Sequence, residues 1–109
     1  VHGLCTGIAM RKLFAVVNER GPHWDRAKSM EEHADWRAHA NFMNGLVAEG
    51  FVLLGGPLVG TDDVLLIVRG DSEDEVRGRL AEDVWVVKGL LRQRQIAPWW
   101  GRLSAFDAT

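Results

Sequence analysis

Among the side chains able to move a proton, His39 stands out. A neutral imidazole accepts a proton at one ring nitrogen and donates one from the other, so near neutral pH it serves as acid or base once a carboxylate orients it. Two carboxylates lie within helical reach, Asp35 four residues earlier and Glu32 seven residues earlier. At about 100° per residue, Phe42, Leu46, His39, Met43, Trp36, Val47 and Ala40 share one apolar helix face. His39 falls inside that arc, whereas His33 falls past its rim, where solvation is expected. An imidazole on a buried face must find polar partners. Two readings follow: a core-edge histidine paired locally with Asp35, or a functional imidazole directed into a cavity between helix and sheet.

The remaining candidates divide between ligand chemistry and packing. Trp85, Trp99 and Trp100 suit the apolar wall of a pocket for a planar ligand, and equally a core or a subunit contact. Gly55-Gly56-Pro57 is too short for a phosphate loop and has no Lys-Ser or Lys-Thr after it, which excludes nucleotide binding of that kind. His2, His23, His33 and His39 lack zinc spacing, and Cys5 is the sole cysteine, so neither a metal centre nor an internal disulfide is expected.

The elements that must position His39 are legible as a βαββαβ order. Residues 13–17 form a β-branched apolar run, expected as a strand, and Gly21-Pro22 opens a loop. Residues 26–49 contain no proline and one internal glycine, Gly45, which predicts a single long helix stopped by Gly50. Residues 51–54 and 64–68 read as the second and third strands, joined through Gly55-Gly56-Pro57 and Thr61-Asp62-Asp63. Ser72 followed by Glu75 is a capping-box pattern that opens a second helix reaching about Glu82. Residues 83–89 form a short turn or helical segment, and 90–96 a last strand closed by Pro98. This is the ferredoxin-like α+β pattern: a four-stranded antiparallel sheet with two helices on one face. The other face has no helix of its own, and the apolarity of all four strands leads us to expect a homodimer packed sheet against sheet.

Composition sets the outer bounds. The 109 residues, 47% hydrophobic and 26% charged, suit one globular domain, expected over 11–103 with tails at 1–10 and 104–109 and with Met10 as the natural start. A formal charge of -2 offers no electrostatic footprint for nucleic acid or for an anionic membrane. No apolar run approaches the roughly 20 residues of a membrane-spanning helix, and no signal peptide is visible, so a cytoplasmic protein is expected.

Several of these residues resemble the YCII-related family. His39 is followed at the family's interval by Glu49-Gly50-Phe51-Val52-Leu53-Leu54-Gly55-Gly56-Pro57, which resembles its Glu-Gly to Gly-Pro element. Asp83-Val84-Trp85-Val86-Val87-Lys88-Gly89-Leu90 resembles its Asp-Pro-aromatic segment, with Val84 standing where the family has proline, and Ile96-Ala97-Pro98-Trp99 resembles its closing end. The resemblance implies a dimeric α/β barrel and a site built on a histidine and an aspartate, here His39 and Asp83. It also implies kinship with a dehydrochlorinase of chlorinated hydroxyhydroquinones and, more distantly, with muconolactone isomerases. On that footing His39 is general acid or base, and Asp83 orients it. Gly56 and Pro57 border the ligand, and Trp85 or Trp99 supplies an apolar wall. The substrate is small and cyclic or aromatic, and the scheme requires no cofactor. Asp35, Glu49 and Asp83 all stay open as the partner of His39. A non-catalytic small-molecule-binding dimer is the alternative of a different class, and a cofactor-independent monooxygenase of the same barrel type is a third reading.

Overall fold

The computed structural model describes residues 12–103; Cys5, Met10 and both expected tails lie outside the described residues. Four strands, β1 (Leu13–Arg20), β2 (Val52–Pro57), β3 (Asp63–Arg69) and β4 (Leu91–Trp99), form one sheet in the order β2-β3-β1-β4. Every neighbouring pair is antiparallel. Three helices complete an α+β fold: α1 (Trp36–Ala48), α2 (Glu73–Leu80) and the single turn α3 (Val84–Val87). None of these helices is long and apolar enough to cross a membrane.

Strand alternation sorts the residues into two faces. Phe14 and Val16 of β1, Leu66 and Val68 of β3 and Ile96 of β4 point to the helices, where they share one core with Leu46 of α1 and with Val76 and Leu80 of α2. Full burial of such a side chain contributes roughly 1.5–3 kcal/mol. Ala15, Val17, Leu65 and Ile67 point the other way as cross-strand neighbours, and Leu54, opposite Ile67, is 61% exposed. The edge strands each contain a proline, Pro57 in β2 and Pro98 in β4.

Three expectations from the sequence need correction. The predicted helix over 26–49 is only its second half. Ser29 opens a 3-10 turn over Met30–Glu32, His33 is extended, and Asp35 sits at a positive φ of 62° as the N-cap of α1. The stretch 26–32 lacks an apolar period to hold a helix against the sheet. Moreover, Ser29 and Glu32 have capping-box spacing, and the Ser29 N–H donates to Glu32 Oε1 at 2.7 Å. His33 is buried at 6% exposure rather than solvated, because the extended backbone turns it inward. The last strand runs on to Trp99, through Pro98. It is an edge strand, where a missing N–H is tolerated.

The loop between β1 and the 3-10 turn is locked onto the end of α3. Gly21 N–H donates to Leu90 O at 2.8 Å, and His23 N–H to Gly89 O at 3.0 Å. A Cβ on Gly21 would lie 2.2 Å from the Gly89 carbonyl oxygen, so only glycine allows this approach. The 3-10 turn carries its own pH signature. The Ser29 backbone N–H and hydroxyl hold the Glu32 carboxyl below the ordinary glutamate range. A carboxyl held low in the folded state contributes stability above its unfolded value, and that contribution is lost as pH falls through the folded one. We expect the Ser29 amide resonance to titrate with a midpoint below the ordinary value of about 4.3. Glu32→Gln is expected to abolish that transition.

Candidate functional site

Between the sheet and the helices lies a cavity of about 210 Å³. Asn18, Val64 and Leu66 floor it from the strands, and Met43, His39 and Trp85 close it from the helices. His39, on the second turn of α1, is turned toward α3 rather than toward its own helix. Its Nδ1 lies 2.7 Å from Asp83 Oδ2, and the two side chains are 13% and 3% exposed. The other candidate carboxylates are engaged elsewhere, Asp35 with Lys88 and Glu49 with Arg79 at 2.8 Å.

Asp83 is held by its place at the N-terminus of α3. Its Oδ1 accepts from Trp85 N–H at 3.1 Å, which satisfies a helix-end donor that has no intrahelical partner. Oδ2 is thereby aimed at His39. Val84, where the family pattern has proline, occupies the first helical position. The N–H there needs no intrahelical acceptor, so valine and proline serve alike and Asp83 keeps its placement.

Trp85 adds a second constraint on the imidazole. Its ring lies parallel to that of His39, with centroids 4.0 Å apart and an interplanar angle of 8°. The indole is 1% exposed and pinned by Nε1–H donating to Ala34 O at 2.8 Å. Trp24 meets Trp85 edge-on at 5.5 Å and stacks on His33 at 3.9 Å. Both His33 nitrogens are used, Nδ1 against Ser29 O at 2.8 Å and Nε2 accepting from Asp25 N–H at 3.1 Å, so His33 shapes the loop above the cavity.

With Nδ1–H committed to Asp83, neutral His39 carries its lone pair on Nε2, which has no protein partner among the described residues. A carboxylate-oriented imidazole fixed in plane by an aromatic ring and bordering an apolar cavity is equipped for proton transfer to a bound molecule.

The residues anticipated for this site do not all meet. His39, Asp83, Pro57 and Trp85 line the cavity together. Gly56 does not, since it pairs with Leu65 on the opposite face and a Cβ there would meet nothing within 4 Å. The tight approach belongs to Gly55, whose Cβ would lie 2.5 Å from Leu66 Cδ2. Trp99, opposite Leu13 on β4, is also absent from the lining. Asn18, Arg20 and Trp24 line the cavity without having been singled out. The signal for Asn18 was available: it is the polar residue at the third inward position of a strand whose first two are Phe14 and Val16.

Asp83 carries both a helix cap, worth about 1 kcal/mol, and a hydrogen bond to a charged group, worth roughly 1.5–3 kcal/mol. Asp83→Ala is therefore expected to lower unfolding free energy by about 2–4 kcal/mol in urea titration. An effect below about 0.5 kcal/mol, the range of an ordinary surface substitution, would show that this pair does not hold the site together.

Comparison with curated proteins and with solved structures finds no match to the chain. The YCII-related domain, in contrast, matches residues 13–100, which takes in every element from β1 to the end of β4 and both partners of the His39–Asp83 pair. The chain belongs to the YCII-related family.

Proposed function

We propose that the chain is a cofactor-independent lyase or isomerase that uses His39 as general acid or base and Asp83 to orient it. The observation that carries this reading is the 2.7 Å contact of His39 Nδ1 with Asp83, which leaves Nε2 beside the cavity. A volume of about 210 Å³ limits the substrate to about one substituted ring, given that an apolar cavity of ~150 Å³ takes up benzene. Small cyclic or aromatic molecules of the dehydrochlorinase or lactone-isomerase kind fit that limit, and proton transfer on them needs no cofactor. The stacked Trp85 supports a planar occupant lying along the same wall.

The working form in this proposal is a homodimer of ferredoxin-like protomers packed sheet to sheet as an α/β barrel. Its support is the apolar sheet face carrying Ala15, Val17, Leu54, Leu65 and Ile67, opposite the face on which α1 and α2 pack among the described residues. Light scattering is expected to report about twice 12.2 kDa, and a clean monomer would remove the barrel.

A thermal-shift screen of small phenols, lactones and carboxylates on wild type and His39→Gln tests the chemistry. At least one compound is expected to stabilise wild type and not the variant. Equal stabilisation of both would favour the alternative of a binding protein that does not use the imidazole. If nothing shifts either protein, the acid-base reading fails.

A further inference from the structure

Residues 25–32, between β1 and α1, are exposed throughout, yet Met30 also lines the cavity. A side chain that is 42% exposed and lines a cavity stands at its mouth. Pro57, where β2 runs into the turn toward β3, lines the same cavity. The mouth is thus bordered by a flap over 25–32 and by the β2–β3 turn.

The hydrogen bonds of the flap are nearly all its own. Lys28 N–H donates to Asp25 O at 3.1 Å, Ala27 N–H to Asp25 Oδ1 at 2.9 Å and Glu32 N–H to Ser29 O at 3.1 Å. Buried His33 draws the ends together, with Nδ1–H donating to Ser29 O and Nε2 accepting from Asp25 N–H. The flap therefore keeps its shape without the sheet, as compact surface loops do. Its base is fixed, because Trp24 stacks on His33 and meets Trp85 edge-on. The chain leaves the base through Asp35, a left-handed residue that is not glycine, and such strain gathers at switch segments.

Among the described residues, one polar tie joins the body of the flap to the rest of the molecule. The Arg26 guanidinium forks onto Asp62, at the end of the β2–β3 turn, at 2.8 and 2.6 Å. Arg20 also reaches Asp62 at 3.3 Å, so the carboxylate stays in place when Arg26 lets go. The Arg26 and Asp62 side chains are 67% and 40% exposed, and ion pairs so open to water contribute little and break readily. A well-aimed but weak tie across a cavity mouth has the properties of a latch.

We propose that the flap over 25–32 is the entrance gate of the cavity, with Met30 seated in the mouth and the Arg26–Asp62 fork as its latch. A small apolar ring enters and leaves when the fork breaks and the flap swings from the β2–β3 turn about its fixed base. The gate rests on the cavity being a ligand site, as in the function proposed above, and on no step of that chemistry. Such a latch sets rates and leaves affinity alone, because releasing it raises the open population of empty and occupied protein alike.

The test follows exchange of fluorobenzene by 19F NMR, an apolar ring of a size for this cavity with no group for His39 to act on. Arg26→Gln and Asp62→Asn are each expected to raise the association and dissociation rates together, by about two- to fivefold, as loss of an exposed ion pair allows. Kd is expected to stay the same. The double variant is expected to match the single ones, since the two side chains act as one latch. Raising salt to about 0.5 M is expected to quicken exchange in wild type and not in the variants. Unchanged rates in both single variants would place the entrance elsewhere and overturn the gate. Faster dissociation with unchanged association would make the pair part of the binding wall, which overturns it too. If wild type takes up no fluorobenzene, the gate falls because the cavity admits no ring. Failure of the acid-base reading shows separately, in the screen against His39→Gln, and leaves these rates as they are.

Discussion

A carboxylate withdrawn from water must have its oxygens answered by protein groups, and Asp83 imposes that demand on the whole helical side of the cavity. One oxygen is answered by the Trp85 N–H and the other by His39. The consequences are mutual. A four-residue helix has no standing of its own, since nucleating a turn is costly. Here the turn is held by its cap and by the burial of Trp85, whose indole is tied in turn to Ala34, just before α1 begins. Cap, short helix, aromatic platform and histidine form one unit, and the starts of α1 and α3 are fixed to each other through it.

How much of this was legible in the sequence depended on whether the determinant was local. Strand positions followed from apolar runs, because β1 and β3 are buried largely by alternation. Ser72 was correctly placed as a cap, though only half of its box forms: Ser72 Oγ accepts from Glu75 N–H while Glu75 Oε1 turns to Asp71 N–H. The same spacing at Ser29 and Glu32 closes a local turn that interrupts the helix expected from composition. The stretch 26–35 lacks glycine and proline, but the absence of breakers does not make a helix without an apolar period to bury. The expected solvation of His33 fails with that helix, since a residue's side of a helix has no meaning where the backbone is extended.

The partner of His39 was a different kind of problem. Helical spacing favoured Asp35, and Asp35 does accept the His39 backbone N–H through its own carbonyl, as the first turn requires. Its side chain, in the left-handed N-cap geometry, goes to Lys88 instead. Only the resemblance to the family pointed to Asp83, 44 residues away in the chain. A contact of that separation leaves no periodic trace in a single sequence. Gly56 and Trp99 failed for a simpler reason, because period-two alternation puts both on the sheet face away from the cavity.

The two edge-strand prolines carry a consequence for how copies of this chain can meet. An open sheet ends in rows of unsatisfied N–H and C=O groups that invite another strand to continue the ladder. Pro57 interrupts the donor row in β2 and Pro98 in β4, and Arg92 and Arg94 add charge along the second rim. Ribbon-like growth from either rim, the route toward fibrils, is therefore obstructed on both sides. Edge-to-edge extension of this sheet is thus the least favoured way for two copies to meet.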